Sequence, residues 1–515
     1  MSGHTVSIGL DLGTTSAKAL AWATDGRVVA EATERYGVTS PRPGYVEQDA
    51  NAVYLAATRA AADTIHDAAV RGGEIVSIGF SSAMHGLVPV DERGEPLGPF
   101  LTWMDRRSNA IAQGWHEDGT GARLYQRTGA PMHPMLPLCK LRWLAIEAPD
   151  IFVRASRFVS MKELLVYRWT GQWLIDHGIA SATGLFDLRA RRWDDEALAL
   201  AGVERFRLSE PAPPTTVLRE IRAGVARSLG LSPTTAIVLC SSDGALANLG
   251  VGAVNRQATA LTLGTSGAVR TVTETPVFDP QGRTFCYAFD DTRCLVGGPT
   301  SSAGGVFDWL CGLLLPEIPP ERRFEAAVAL AMDVREGADG LILLPFLSGE
   351  RAPYWYGDLR GAFVGLDLSH DRRHLLRAAL ESIVYAVRTV SDIVGELTGP
   401  PHALLLSGGL THSAAFRKLI ADIFGIGTWL PNTDEASASG AAMMAAVAVN
   451  AVPGLDAVRA LVTYPERLAP EPEARRRYEA VYRRYRQVVE AVLPLWHPEF
   501  RPAGTTPAPS RAGAG

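Results

Sequence analysis

Apolar residues between positions 6 and 33 come in short runs broken by turn residues. The pattern predicts strands over 6–11, 17–23 and 27–33, with Asp25-Gly26 as the hairpin turn between the last two. Over 50–71 the pattern becomes that of an alanine-rich helix, with Asp49 placed to start it and Gly72-Gly73 to stop it. An apolar run at 75–80 then predicts the next strand. Antiparallel meander, helix and strand form one layered α/β unit. A further β-rich run at 236–240 leads into small residues that open a helix.

Past Gly250-Val251-Gly252 the plan starts again. Strands are predicted around 258–263, 268–273, 284–288 and 294–297, a helix over 305–314, an apolar strand over 340–347, a long amphipathic helix over 370–397 and a strand over 402–406. The repetition reads as duplication of one half, which gives an expected N-terminal domain over 1–249 and a C-terminal domain over 250–500. The remainder, 501–515, is expected to be disordered, because its Pro, Gly and small polar residues bury too little surface to fold.

Composition narrows the class. A chain of 515 residues, 47% hydrophobic and 20% charged, has material for two cores. A net charge of −5 and the lack of a long basic run argue against nucleic acid as a partner. No segment approaches the ~20 apolar residues that span a bilayer, so no membrane partner and a cytoplasmic location are expected. The five cysteines include no C-x-x-C pair and are expected to be reduced core residues. Oligomeric state is left open, with a homodimer as one option.

The chemistry concentrates in turns. After the first strand, Gly13-Thr14-Thr15-Ser16 offers short donors and exposed N–H groups, a nest for an anion. Asp11 beside it would repel a phosphate unless a divalent cation or water lies between them, which points to a Mg²⁺-nucleotide. Alone, such a turn is more often an ordinary hairpin, but Leu263-Gly264-Thr265-Ser266-Gly267 supplies a second copy. No lysine follows a glycine, which excludes a P-loop.

Other candidates are scattered. Met84 and His85 follow a strand at the edge that open α/β sheets use for ligands. Trp103, Asp105, Arg106 and Arg107 could grip a polyhydroxylated or anionic molecule, or could be solvated surface charge. Lys140 and Lys162 fall in segments that could line a cleft. Asp243 sits at a strand-to-helix junction, where an aspartate is ordinarily an N-cap. Gly304-Gly305 would let a ligand approach a helix start, and Gly408-Gly409 could admit a flat base or merely shape a helix end. The polar loop 348–355 has no assignable chemistry.

Taken together and in this order, Asp11-Leu12-Gly13-Thr14-Thr15, Ser82-Ala83-Met84-His85-Gly86, Trp103-x-Asp105-x-Arg107, Asp243-Gly244, Leu263-Gly264-Thr265-Ser266-Gly267, Ser407-Gly408-Gly409-Leu410-Thr411 and Ala438-Ser439-Gly440-Ala441-Ala442 resemble the FGGY carbohydrate kinases. The resemblance implies an α/β fold of two actin-like (ribonuclease H-like) ATPase domains with a central cleft, sugar deep in the cleft and ATP held mostly by the second domain. Within the family, Ser-Ala-Met-His, Thr-Trp-x-Asp-x-Arg-Ser and the run from His133 to Leu141 look most like the gluconokinase branch, while Met-His-Gly is shared with xylulokinases.

By the same resemblance, Asp243 is the general base, and Asp11 with Asp243 helps to place Mg²⁺. Gly13, Thr14, Thr15, Ser16, Lys18, Gly264 and Thr265 approach the phosphates of ATP. Gly304, Asp308, Gly408, Gly409 and Ser413 match nucleotide positions, although Asp308 and Ser413 stand where some relatives carry amides. Met84, His85, Trp103 and Asp105 match sugar contacts. Arg106, Arg107, Lys140 and Lys162 are the candidate cations for a sugar-acid carboxylate. The expected reaction is phosphorylation of D-gluconate at its 6-hydroxyl. A xylulokinase or other pentulose or polyol kinase is the alternative. A non-sugar actin-like ATPase is disfavoured by the pairing of Met84-His85 with Asp243.

Overall fold

The computed structural model describes residues 4–232 and 234–497; the tail expected to be disordered lies outside them. The first sheet is built from β1 (His4–Leu12), β2 (Ser16–Ala23), β3 (Val28–Arg35), β4 (Gly73–Ser82), β5 (Val217–Leu218) and β6 (Ala236–Val238), in the order β5-β6-β4-β1-β2-β3. β1, β2 and β3 form the antiparallel meander, whereas β4 runs parallel to β1 and β6 parallel to β4. Between β3 and β4 runs α1 (Ala50–Val70), whose first turn is capped by the Asp49 carboxylate at 2.8 Å from the Asn51 N–H. Pro137–Glu147 (α2), Met161–Thr170 (α3) and Asp243–Gly250 (α4) are the helices of this half that carry candidate residues.

The second sheet repeats the plan. Its strands are β7 (Ala258–Leu263), β8 (Gly267–Thr273), β9 (Phe285–Ala288), β10 (Cys294–Thr300), β11 (Ala403–Ser407), β12 (Thr428–Leu430) and β13 (Glu466–Leu468), in the order β9-β10-β8-β7-β11-β12-β13. Hence β6-β4-β1-β2-β3 of the first sheet corresponds to β12-β11-β7-β8-β10 of the second. The helices of this half that matter below are α5 (Gly304–Leu314), α6 (Arg372–Thr398), α7 (Ala414–Phe424) and α8 (Ala436–Ala448), and α6 takes the place of α1 between the third and fourth strands of the plan. The fold is the two-domain actin-like α/β architecture.

Helix α8 departs from a simple division into halves. It follows β12 in the chain yet packs on β1, β4 and α4. Small residues make this possible: a Cβ at Gly9 of β1 would lie 1.8 Å from the Ala438 carbonyl oxygen, and one at Gly440 would lie 1.9 Å from that of Leu246. The Ala-Ser-Gly-Ala-Ala run is therefore a close-packing surface, and burial of its backbone against a sheet explains its uniformly small side chains.

Two expected strands are shorter than their apolar runs. β6 stops at Val238, because Cys240 turns into the left-handed region at φ 54°. Of 340–347, Ile342–Leu344 pairs with Ala362–Val364, and the following residues leave as an irregular strap. All five cysteines are free and buried. Among the described residues no helix is long and apolar enough to cross a membrane.

Candidate active site

The turn between β1 and β2 is closed by the Gly13 N–H donating to the Ser16 carbonyl at 3.0 Å. Gly13 does not adopt a positive φ; its Cβ position meets the Ser16 oxygen at 3.1 Å, so tightness of the turn is what selects glycine. Thr14 is fixed from outside, its Oγ1 accepting the Trp103 indole N–H at 3.0 Å and its carbonyl accepting from Gln48 at 2.7 Å. Asp11, one residue before the end of β1, accepts a hydrogen bond from Ser81 Oγ at 2.5 Å. Burial, more than the nearby charge of Asp243, pushes its carboxyl up to about 7. Lys18 lies opposite Asp11 in the β1–β2 register, and its ammonium is held by both Glu435 oxygens at 2.7 Å.

The second turn is one residue shorter and closes by the Gly264 N–H donating to the Ser266 carbonyl at 3.0 Å. The start of α5 then docks on it: the Gly304 and Gly305 N–H groups donate to the Gly264 and Thr265 carbonyls, each at 2.9 Å. The expected close approach to this glycine pair is thus made by the turn's own backbone. A Cβ at Gly304 would lie 2.6 Å from the Gly264 oxygen. Asp308 is exposed one turn further along α5. Gly408, at φ 94°, packs on Leu263, whereas Gly409 has open space at its Cβ position. Ser413 caps α7, accepting the Phe416 N–H at 3.3 Å.

Asp243 is not the cap of its helix. Ser242 does that work, accepting the Ala245 N–H at 3.4 Å; the Asp243 carboxylate, on the first helical residue, accepts the Gly244 N–H at 2.7 Å and no other donor among the described residues. Burial raises its pKa against the pull of Arg270, the Gly244 N–H, Arg351 and Lys162. The Met84 methyl and the Arg270 guanidinium both approach the face of Gly244, at 3.3 Å and 3.0 Å from its Cβ position. Met84 and Asp243 thus meet at Gly244, Met84 also lines a pocket with Gly13 and Thr14 of the first phosphate turn, and Asp11 lies within the electrostatic field of Asp243. Among the described residues there is no group of three side chains able to cage a metal. Two carboxylates beside a phosphate-type turn suit an ion that keeps water and phosphate oxygens, which is how Mg²⁺ binds.

The chain matches the model of the FGGY family of carbohydrate kinases, N-terminal domain, over residues 6–250, and the C-terminal domain model over residues 259–449. The chain belongs to the FGGY family of carbohydrate kinases. It is 35% identical over 478 residues to a gluconokinase of Bacillus licheniformis, covering 92% of this chain and 93% of that protein. Among solved structures, a gluconate kinase from Lactobacillus acidophilus superimposes with a TM-score of 0.90 at 30% identity, and a ligand-bound xylulose kinase from the same organism with 0.90 at 31%. Each covers 95% of this chain and 98% of its own. This FGGY kinase is an ATP-dependent sugar kinase, a phosphotransferase acting on a sugar or sugar acid.

In the kinase, most of the cations expected to meet a carboxylate are already spent. Arg107 is clamped by Glu47 at 2.5 Å and Asp105 at 2.8 Å, with its guanidinium 4.0 Å from the Tyr45 ring centre and 5.0 Å from that of Trp143. Asp105 is fully buried and also accepts the Val46 N–H at 2.8 Å. Asp105 and Arg107 are thus a structural pair rather than a grip on substrate. Lys140 donates to the carbonyls of His85 and Thr102 at 2.6 Å and 2.7 Å, and burial lowers it to about 7. Lys162 pairs with Asp176 at 2.7 Å and donates to the Ser241 carbonyl at 2.8 Å. Arg106 is exposed and reaches the strap, donating to Gly357 at 3.0 Å.

His85 is buried, with Nδ1 donating to the Ala182 carbonyl at 2.7 Å, and burial lowers its pKa to about 3, so a neutral ring faces the site. Sequence reasoning missed Arg270, Arg351 and Tyr287 as site groups. Arg270 bonds Thr262 Oγ1 at 3.1 Å beside the second turn. Arg351 and His133 line, with Trp103, Arg106, Thr265 and Ser266, a cavity of about 630 Å³. The signal for Arg351 was its place in the unassigned polar loop 348–355, which is the strap.

Proposed function

We propose that this kinase transfers the γ-phosphoryl group of ATP to the 6-hydroxyl of D-gluconate, giving 6-phospho-D-gluconate and ADP. The observation that carries the reading is the 35% identity to a gluconokinase over nearly the whole chain. It is supported by the cationic character of the cleft, in which Arg270 and Arg351 are buried without a carboxylate partner among the described residues. A pentulose such as xylulose is the second reading, supported by the equal structural likeness to a xylulose kinase.

The 6-hydroxyl lies against Asp243, whose carboxylate takes its proton as the oxygen attacks the γ-phosphorus; the bond from that phosphorus to the β–γ bridging oxygen breaks and ADP leaves. A carboxylate with a raised pKa holds a proton better than a surface aspartate does, which suits a base. Backbone donors of Thr14, Thr15 and Thr265 and the Arg270 charge face the phosphoryl oxygens, where charge changes during transfer. Asp11 and Asp243 would hold Mg²⁺, which when bound would supply neutralisation of the phosphate charge. Met84 and Trp103 flank the sugar carbons, and His85, locked neutral, offers Nε2 as an acceptor for a sugar hydroxyl.

A coupled ADP-release assay across D-gluconate, D-xylulose, D-ribulose and glycerol tests the assignment. The expected result is a kcat/KM for gluconate at least about tenfold above the others. Turnover of a neutral sugar without turnover of gluconate rejects it.

A further inference from the structure

Arg351 is a buried cation with unused donors. It is 7% exposed and forms no ion pair among the described residues. Its Nη2 donates to the Thr300 carbonyl at 2.9 Å, while its Nε is buried with no partner. The charge of the neighbouring Glu350 favours the guanidinium, but its carboxylate oxygens accept from Thr300 Oγ1 at 2.7 Å, the Ser301 N–H at 2.6 Å and the Arg351 N–H at 2.8 Å, not from the Arg351 side chain. The guanidinium is held over the Trp103 ring, 4.7 Å from its centre, which fixes its plane without neutralising it. A buried guanidinium with no direct ion pair is costly to the fold, and an anionic ligand bound to its free donors lowers the cost.

Two further groups lean the same way. His133 accepts the Met135 N–H on Nδ1 at 3.2 Å, which leaves its ring proton on Nε2, and burial with the positive field of Arg351 keeps the ring neutral. The Tyr287 hydroxyl, within the field of Arg351 and with its ring 6.0 Å from that of His85, is also buried without a partner.

We propose that Arg351, assisted by the His133 Nε2–H, anchors the carboxylate of the sugar-acid substrate in the cavity that both line with Trp103. This rests on the sugar-acid reading above and adds the residue that makes it specific. Arg107, Lys140 and Lys162 are spent on protein partners, Arg106 is exposed and bonded to the strap, and Arg270, bonded to Thr262 Oγ1, does not line this cavity. Arg351 is the remaining buried cation that lines the cavity with Trp103. Its fork geometry suits a carboxylate, whereas a neutral sugar would leave the charge unpaired.

The test compares D-gluconate with D-glucitol, which carries a CH₂OH in place of the carboxylate, as substrate or competitive inhibitor of the wild-type enzyme, Arg351→Lys and Arg351→Met. The wild-type enzyme is expected to prefer gluconate by about 10²-fold or more. Arg351→Met should raise KM for gluconate by about 10²-fold while leaving the glucitol constant within about threefold, and Arg351→Lys should recover part of the loss. Equal losses on both compounds, or a loss confined to kcat, would assign Arg351 to the phosphoryl group or the fold and overturn the proposal.

Equal wild-type affinity for the two compounds overturns it without any variant, should Arg351→Met fail to fold. A wild-type enzyme that turns over xylulose but not gluconate overturns the sugar-acid reading, and the anchor with it. An enzyme active on gluconate with an indifferent Arg351→Met overturns the anchor alone.

Discussion

Asp11 and Asp243, from the two ends of the first half of the chain, share one electrostatic field, and the charge of Asp243 is among the causes that hold the Asp11 carboxyl near 7. Two like charges brought together under burial strain the fold in the service of the site. Removing one should cost activity and spare stability. Asp243→Asn is expected to lower kcat by about 10²–10⁴-fold, the range of a general base, while ATP binding persists and the melting temperature stays level or rises. Single-turnover kinetics, nucleotide titration and thermal melting check the three parts; retained kcat would remove Asp243 from the base role.

His85 predicts a pH dependence of stability. Burial, outweighing the bond to the Ala182 carbonyl, lowers it to about 3, whereas an unfolded histidine titrates near about 6.5. Between those values the unfolded chain carries a proton that the native state refuses, so this contribution is complete above about pH 6.5 and drains as pH falls toward 3. At pH 5 the loss from His85 alone is about 2 kcal/mol, and His133, lowered for the same reason, adds to it. Urea unfolding at pH 7 and pH 5 should show the fall, and His85→Gln should flatten it. An identical slope in the variant would exclude His85 as its source.

The legible part of the molecule was local. Asp49 as a cap, the turn glycines and the alternation from strand to helix are written within a few residues of where they act, so both halves of the fold could be anticipated. Which charges are free was not legible. Arg107 looks available in Trp-Met-Asp-Arg-Arg until Glu47 arrives beside it, and Lys162 until Asp176 does. Arg351 looked like loop polarity, because nothing in Ser-Gly-Glu-Arg says that the loop folds inward over Trp103. Asp243 resembled a cap, and only the Ser242 hydroxyl bonded to Ala245 shows the carboxylate released from that duty.

The seat of α8 on the first sheet yields a prediction about stability. A methyl group at Gly9 would enter the Ala438 carbonyl at 1.8 Å, and the obstacle is backbone, which cannot rotate away. Gly9→Ala should therefore push α8 off β1 at a cost of roughly 3 kcal/mol or more, at the severe end for overpacking. Gly224→Ala, in a helix with nothing near its Cβ position, is the control, expected to be neutral or slightly stabilising. Differential scanning calorimetry of both variants decides; equal melting temperatures would mean that α8 does not sit this close to the sheet.

Lys18 separates a latch from a phosphate ligand. Its ammonium, expected near ATP, is instead held at 2.7 Å by Glu435 at the threshold of α8, and the side chains are 35% and 31% exposed. A pair so open to solvent contributes at most about 1 kcal/mol, so Lys18→Met and Glu435→Gln should each shift stability by no more than that. If Nζ stays with Glu435 through turnover, both variants keep KM for ATP within about threefold and resemble one another, since each breaks the same bond. A rise of about tenfold in Lys18→Met alone would show that the ammonium leaves Glu435 for a phosphate during the cycle, returning Lys18 to the nucleotide site where its sequence position first suggested it.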